Sequence, residues 1–356
     1  MKSQQKVNVI IQKNKFWFIL LFLIFLLIST LTSFFLPSRY FNDTIIIVID
    51  KYKEIGWIGS YPFSIMFYKL TGLKYLPFFI IALIQFPITT YILYKIGLPS
   101  NFHLLKIKNI VFYIAFFLLG IYMSMPTKEF ITFLMFSSIP FIFLSKITDL
   151  KKIMISLFLI ASFGFFRTYY LLIPIFSFGM YLITSIKFKK KTFTTLFYGL
   201  IISIFLSFSH GIVKGKFLSQ LTRQEYFENN DYIINTAIQS PISQNTWYGE
   251  AFGIIYGFIT VNIPFFEGLK HLLSPAILAF VIWELFLFYI LIKRLSRCLN
   301  DKRNNFLELW VLLILFSYFI VQGIFEPDLG TSIRHKIGFL PLIYFALYYE
   351  HFKNKP

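Results

Sequence analysis

The stretch "FLELWVLLILFSYFIVQGIF" (306–325), "EPDLGTSIRHK" (326–336), "IGFLPLIYFALYY" (337–349) sets two apolar runs around a short segment that holds Glu326, Asp328, Arg334, His335 and Lys336. The first run carries a single acid, Glu308, and is as long as the roughly 20 residues a helix needs to cross a hydrocarbon core. A helix of a water-soluble protein would show a polar stripe every third or fourth residue, and neither run has one. The stretch therefore reads as a membrane hairpin whose turn carries more charge than a turn needs.

The rest of the chain agrees. Of 356 residues, 57% are hydrophobic and only 14% charged, where a soluble domain would carry about a quarter charged residues. The formal charge of +18 is scattered in short runs between apolar segments rather than gathered on one soluble face, which argues against nucleic acid as a partner. The one cysteine, Cys298, lies in the basic run "KRLSRCLNDKRNN" and has no internal disulfide partner. The N-terminus has a basic start, an apolar run and no small-residue cleavage site, so it reads as a retained first helix.

Apolar runs at 16–36, 76–94, 109–125, 130–145, 153–166, 168–186, 193–212, 272–292, 306–325 and 338–349 predict an all-α bundle of about ten spans. No linker or repeat divides it, so 1–356 is expected to form one integral membrane domain. With both tails and the alternate short loops on one side, 21 of the 34 Lys and Arg fall there, and the positive-inside rule makes that side cytoplasmic. The long segments 37–75 and 213–271 then face outward. Segment 251–266, "AFGIIYGFITVNIPFF", is expected to be a re-entrant or interfacial helix broken near Pro264, because an eleventh span would turn the basic run 293–303 outward.

Three outward turns keep charge: "MPTKEF" with Lys128 and Glu129, "FFRTYY" with Arg167, and the turn that carries Arg334, His335 and Lys336. The spans beneath Arg167 and Arg334 rise only roughly 21 and 25 Å, less than the ~30 Å core, so both cations are expected below the outer surface. Buried cations of this kind line watery, protein-walled cavities. Blander readings exist for each: a helix-capping turn at Lys128 and Glu129, a snorkelling Arg167, a headgroup clamp at 334–336. Their convergence at one depth favours an anion site, since guanidinium forks match phosphate oxygens in pairs. Arg167, Arg334, Lys336 and Lys128 are the candidate ligands of a lipid-linked phosphate or diphosphate. His335, Glu129 and Asp43 are the candidate proton acceptors. Asp50 and Glu54 accompany Asp43 in the first outer segment, and Asn262, Glu267 and His271 surround the kink in the second. His210, Glu284 and Glu308 read as structural. No Walker loop, dinucleotide fingerprint, zinc-protease motif or paired CxxC is present, so neither a metal nor a cofactor is expected.

"MPTKEFITFLMF", "FFRTYYLLIPIFSFG", "VNIPFFEG", "LAFVIWELFLFYIL" and "GTSIRHKIGFLPLIYFAL" resemble the bacterial O-antigen and capsular polysaccharide polymerases, including the EpsG-like members. The likeness covers most of the chain in layout and a smaller part in motif. It departs from the pattern of an Arg, ten intervening residues and a Gly: the matching positions are Phe178 after Arg167 and Phe345 after Arg334. The resemblance implies glycan transfer between undecaprenyl-diphosphate-linked oligosaccharides at the outer face of the bacterial inner membrane. It also implies membrane lipid and a chain-length regulator protein as partners, and neither metal nor cofactor. The nearest alternative is a multi-span glycosyltransferase that uses a polyprenyl-phosphate sugar, for which an acid early in the first outer segment, Asp43 or Asp50, is essential. A lipid-linked oligosaccharide flippase would need polar groups through the full membrane depth and two similar halves; the sequence has neither.

Overall fold

Each apolar run folds as a helix in the computed structural model, which describes residues 2–37, 42–50, 55–186, 188–224 and 236–353. The helices are α1 (Lys2–Phe35), α2 (Asn42–Ile49), α3 (Ser60–Leu70), α4 (Phe78–Ile96), α5 (Ile107–Tyr122), α6 (Lys128–Leu144), α7 (Asp149–Ser162), α8 (Leu172–Ile183) and α9 (Lys191–Lys214). They continue as α10 (Trp247–Asn262), α11 (Phe265–Lys270), α12 (Pro275–Asn300), α13 (Phe306–Phe325), α14 (Leu329–Gly338) and α15 (Leu340–Phe352). Among the described residues there is no β-strand, and an isolated bridge joins Ala237 to Asp328. Glu54 lies outside the described residues.

Among the described residues five helices are long and apolar enough to cross a membrane: α1 from Lys13, α4, α9, α12 and α13. The other expected spans fall on shorter helices: α5 with 16 residues, α6 with 17, α7 with 14, α8 with 12 and α15 with 13. At 1.5 Å per residue these rise only about 18–26 Å. Their ends are set locally. Tight 3-10 turns at Phe163–Phe165 and Thr168–Leu171 separate α7 from α8, and Pro341 sits at the first turn of α15, where it needs no N–H partner. The kink expected near Pro264 is present: α10 stops at Asn262 and α11 restarts at Phe265.

The chain forms two compact units. The first comprises residues 1–152, 163–168 and 334–356, and the second 153–162 and 169–333. In the first, Phe18, Phe22 and Phe25 recur at helical spacing on α1 and pack against Phe86 of α4 and Phe116 of α5. Gly120 lets α5 approach so closely that a Cβ there would lie 3.1 Å from the Phe25 carbonyl oxygen. On α15, Tyr344 and Tyr348 lie one turn apart on Phe112, and Tyr348 donates to Asn109 Oδ1 at 2.7 Å. Lipid tails are as apolar as these rings, so dispersion between close-packed surfaces holds such contacts together more than water exclusion does.

In the second unit, α13 is the central helix: it is buried from Glu308 to Ile324, against α8, α9, α10 and α12. Ser177 and Ser317 share a hydrogen bond of 2.8 Å inside it.

Gly338, the last residue of α14, sits on α6, where an added Cβ would come within 2.8 Å of Thr132 Cγ2. This contact fixes the end of α14 one turn from Lys128 and Glu129. Gly338→Val should therefore lower the melting temperature of the purified protein by an amount corresponding to about 1–3 kcal/mol of overpacking. Thr132→Ala in the same chain should recover part of the loss; recovery of nothing would mean that Thr132 is not the obstacle.

Candidate functional site

The first unit draws six of the seven candidate site residues into one partly buried ion-pair cluster, and local chemistry explains how. Thr127 caps α6, its hydroxyl accepting from Phe130 N at 3.3 Å. That cap presents Lys128 and Glu129 at the first turn. Thr44 of α2 donates to the Pro126 carbonyl at 2.9 Å, which lays α2 across the start of α6 and sets Asp43 beside Lys128. Tyr68 of α3 donates to Thr127 O and accepts from Thr127 N, at 3.0 and 2.9 Å. Arg167 lies between the two 3-10 turns, where Gly59 N donates to Phe165 O at 2.8 Å. Arg334 and His335 come from the last turns of α14, whose first turn Asp328 caps by accepting from Thr331 N at 2.9 Å.

Two carboxylates organise the cluster. Asp43 Oδ2 meets Lys128 Nζ at 3.0 Å and Arg334 Nη2 at 2.8 Å, while its Oδ1 accepts from Tyr61 at 2.7 Å. Glu129 Oε1 meets Arg167 Nη2 at 3.3 Å, Arg334 Nε at 3.5 Å and His335 Nε2 at 3.5 Å. Arg334 thus bridges both acids. Glu129 is 0% exposed, and its Oε2 has no hydrogen-bond partner among the described residues. The Lys128 ammonium also lies 3.8 Å from the centroid of the Tyr61 ring, a cation–π contact. Burial by itself would push the Asp43 carboxyl up, but Arg334 and Lys128 hold it well below the usual carboxylate range. Burial would likewise pull Arg334 down, yet Asp43 and Glu129 raise it, so it stays a guanidinium. Burial, with Asp43 behind it, raises the Tyr61 phenol and keeps it a neutral donor.

The cluster gathers Asp43, Lys128, Glu129, Arg167, Arg334 and His335. Lys336 is buried on the same helix end. The arginines and Lys128 were expected as bare anion ligands; each is instead paired with an acid, because a lone buried charge would be far costlier. Asp50 ends α2 in a left-handed conformation, φ 55°, apart from these pairs. Tyr61 and Tyr68 are parts of the site that sequence reasoning missed, since nothing marks two tyrosines among 22.

Candidates in the second unit have local partners. His210 Nδ1 lies 2.7 Å from Lys216 O, and Asn262 donates to Phe258 O. Glu267 pairs with Lys270 at 2.6 Å, and buried Glu308 with Arg294 and Arg297 at 2.5 and 2.8 Å. The sequence also gave no warning of Arg223, which is buried and donates to Glu326 O at 3.0 Å, Gly253 O at 3.2 Å and Gly323 O. Nearby, Glu250 accepts from Ser207 at 2.5 Å and from Ser219. No group of three His, Cys, Asp or Glu suited to a metal occurs among the described residues.

Comparison of the chain with protein-family models, curated proteins and solved structures finds no match.

Asp43→Asn leaves Lys128 and Arg334 short of a charge, a loss of about 3–5 kcal/mol for a broken buried pair. The sign with pH follows from the depressed carboxyl. Its stabilisation is complete above the unfolded value near 4 and fades as pH falls below it. The gap in melting temperature between native protein and Asp43→Asn should stay flat from about pH 5 to 8 and narrow below about pH 4. A gap that changes across neutral pH would show that another group governs it.

Proposed function

We propose that this chain is a bacterial inner-membrane glycosyltransferase acting on undecaprenyl-diphosphate-linked oligosaccharide, and within that class a polysaccharide polymerase. The observation that carries the reading is the cluster in which Lys128, Arg167 and Arg334 gather around Asp43 and Glu129. Three basic side chains brought together at one place suit a phosphate or diphosphate, and Arg334 offers it a planar fork. In the reaction the acceptor hydroxyl oxygen bonds to the donor sugar carbon, and the bond from that carbon to the diphosphate oxygen breaks. The electron pair leaves with the undecaprenyl diphosphate, which Arg334 and Arg167 stabilise. The hydroxyl proton passes to the pair formed by His335 and Glu129, with Glu129 Oε2 as the uncommitted acceptor.

One observation favours the polyprenyl-phosphate-sugar reading. Asp43, an acid early in the first outer segment, stands at the centre of the cluster. Its Oδ1 and Oδ2 are both engaged, which suits a charge anchor better than a base. The products separate the two readings: a ladder of repeat units from a polymerase, a single added sugar from the alternative.

Arg334→Lys keeps the charge and loses the fork. In a deletion strain, at matched membrane abundance, it should shorten surface glycan nearly as severely as Arg334→Ala, by orders of magnitude in polymer yield. Full-length polymer from the lysine variant would remove the proposed role.

The topology proposed with this function has ten spans, both termini cytoplasmic, and segments 37–75 and 213–271 outside. Native Cys298 is buried and should be silent to impermeant thiol reagents. Leu273→Cys, at a fully exposed position, should label from the periplasm, whereas exposed Asn300→Cys should label only after the inner membrane is opened. The reverse pattern would invert the topology and move the cluster to the other face.

A further inference from the structure

We propose that the groove between α1 and α4 is a binding site for one anionic phospholipid. The groove has a volume of about 290 Å³, and apart from one lysine and one threonine its walls are apolar or aromatic. It runs from Lys15 and Tyr94 at one end, where Phe18 and Tyr94 touch, to Phe22 and Pro87 at the other, near the stacked Phe22 and Phe86. From Lys15 to Phe22 that is roughly 10 Å along the helix. Apolar walls do not hold water, so an acyl chain suits this space where solvent does not.

The polar groups are arranged for a lipid head. Lys15 is exposed at the mouth, and Lys95 Nζ stands 5.2 Å from the centroid of the Tyr91 ring, which lines the same end. Two ammonium groups beside two tyrosines, at the level where interfacial aromatics sit, match a lipid phosphate. One turn deeper, Thr90 lines the wall; it is 5% exposed, and its hydroxyl has no hydrogen-bond partner among the described residues. A hydroxyl there lies where the ester carbonyl of a bound phospholipid would reach, one step below the phosphate. Phosphate on Lys15 and Lys95, ester on Thr90 and chain along Phe22 and Pro87 give three points of recognition in the order a phospholipid presents them. The basic end is the cytoplasmic one under the positive-inside rule, which selects the inner leaflet. A zwitterionic lipid would fill the groove but would bring its own cation to the lysines.

The test uses the full chain in detergent, titrated with phosphatidylglycerol or phosphatidylcholine and followed by native mass spectrometry and thermal unfolding. One phosphatidylglycerol should be retained in preference to phosphatidylcholine, and it should raise the melting temperature. Lys15→Gln with Lys95→Gln, both on exposed side chains, should weaken retention by about thirtyfold, since each lysine near an anionic headgroup contributes roughly fivefold. Thr90→Val, which keeps the shape and loses the donor, should weaken it further. Equal retention of the two lipids, unchanged retention in the lysine variant, or an equal rise in melting temperature with inorganic phosphate alone would each overturn the proposal.

Discussion

Glu129 Oε1 is the point on which the first unit depends. A carboxylate oxygen with no exposure is met by Arg167, Arg334 and His335, which arrive from two other parts of the chain. An isolated ion at such a place is prohibitive, and removing one partner of a buried pair is more damaging than never having had it. The turn at 163–168, the end of α14 and the cap of α6 are therefore constrained together. Asp43 extends the constraint to α2 through Arg334, which touches both acids. The apolar packing around them is interchangeable in detail; the charges are not.

How much of this was legible follows from what each feature rests on. Helices could be read because membrane burial leaves a run of apolar residues with little else to become. The number of crossings was less secure, because the apolar runs 130–145 and 168–186 look alike in sequence, yet they become a 17-residue α6 and a 12-residue α8 preceded by a 3-10 turn. In the site, Arg167, Glu129 and Arg334 stood out as charges in apolar surroundings, and charge is rare here. Their pairing with one another could not be read, since Asp43, Glu129, Arg167 and Arg334 are far apart in the chain. Tyr61 and Tyr68 could not be read at all, because their role lies in a hydroxyl placed by α3 rather than in any local pattern.

The charge on the segment that holds Glu326, Asp328, Arg334, His335 and Lys336 is put to two different uses. Asp328 does local work, accepting from the backbone and hydroxyl of Thr331 at the start of α14. Arg334 and His335, two turns further on, do long-range work through Asp43 and Glu129. One ten-residue helix thus begins with a cap and ends with a site.

Arg223, which is buried, and Arg334, which is partly buried, show how the kinds of work can be told apart. Arg223 directs its donors at the carbonyls of Gly253, Gly323 and Glu326. Gly323 and Glu326 lie at the end of α13, where the last carbonyls lack partners within the helix, so Arg223 completes a backbone that would otherwise be unsatisfied. Burial pulls its pKa down to about 10, with Glu250 and Glu326 opposing, and it still stays charged at neutral pH. Its fork is fully committed to fixed peptide groups, which a ligand cannot displace without unravelling a helix end. Among the described residues Arg334 is bound to side chains, each with further partners of its own, so on the proposed reading an incoming phosphate takes over a guanidinium edge while Asp43 keeps Lys128 and Tyr61. What the fork is spent on separates the structural arginine from the one proposed to bind substrate.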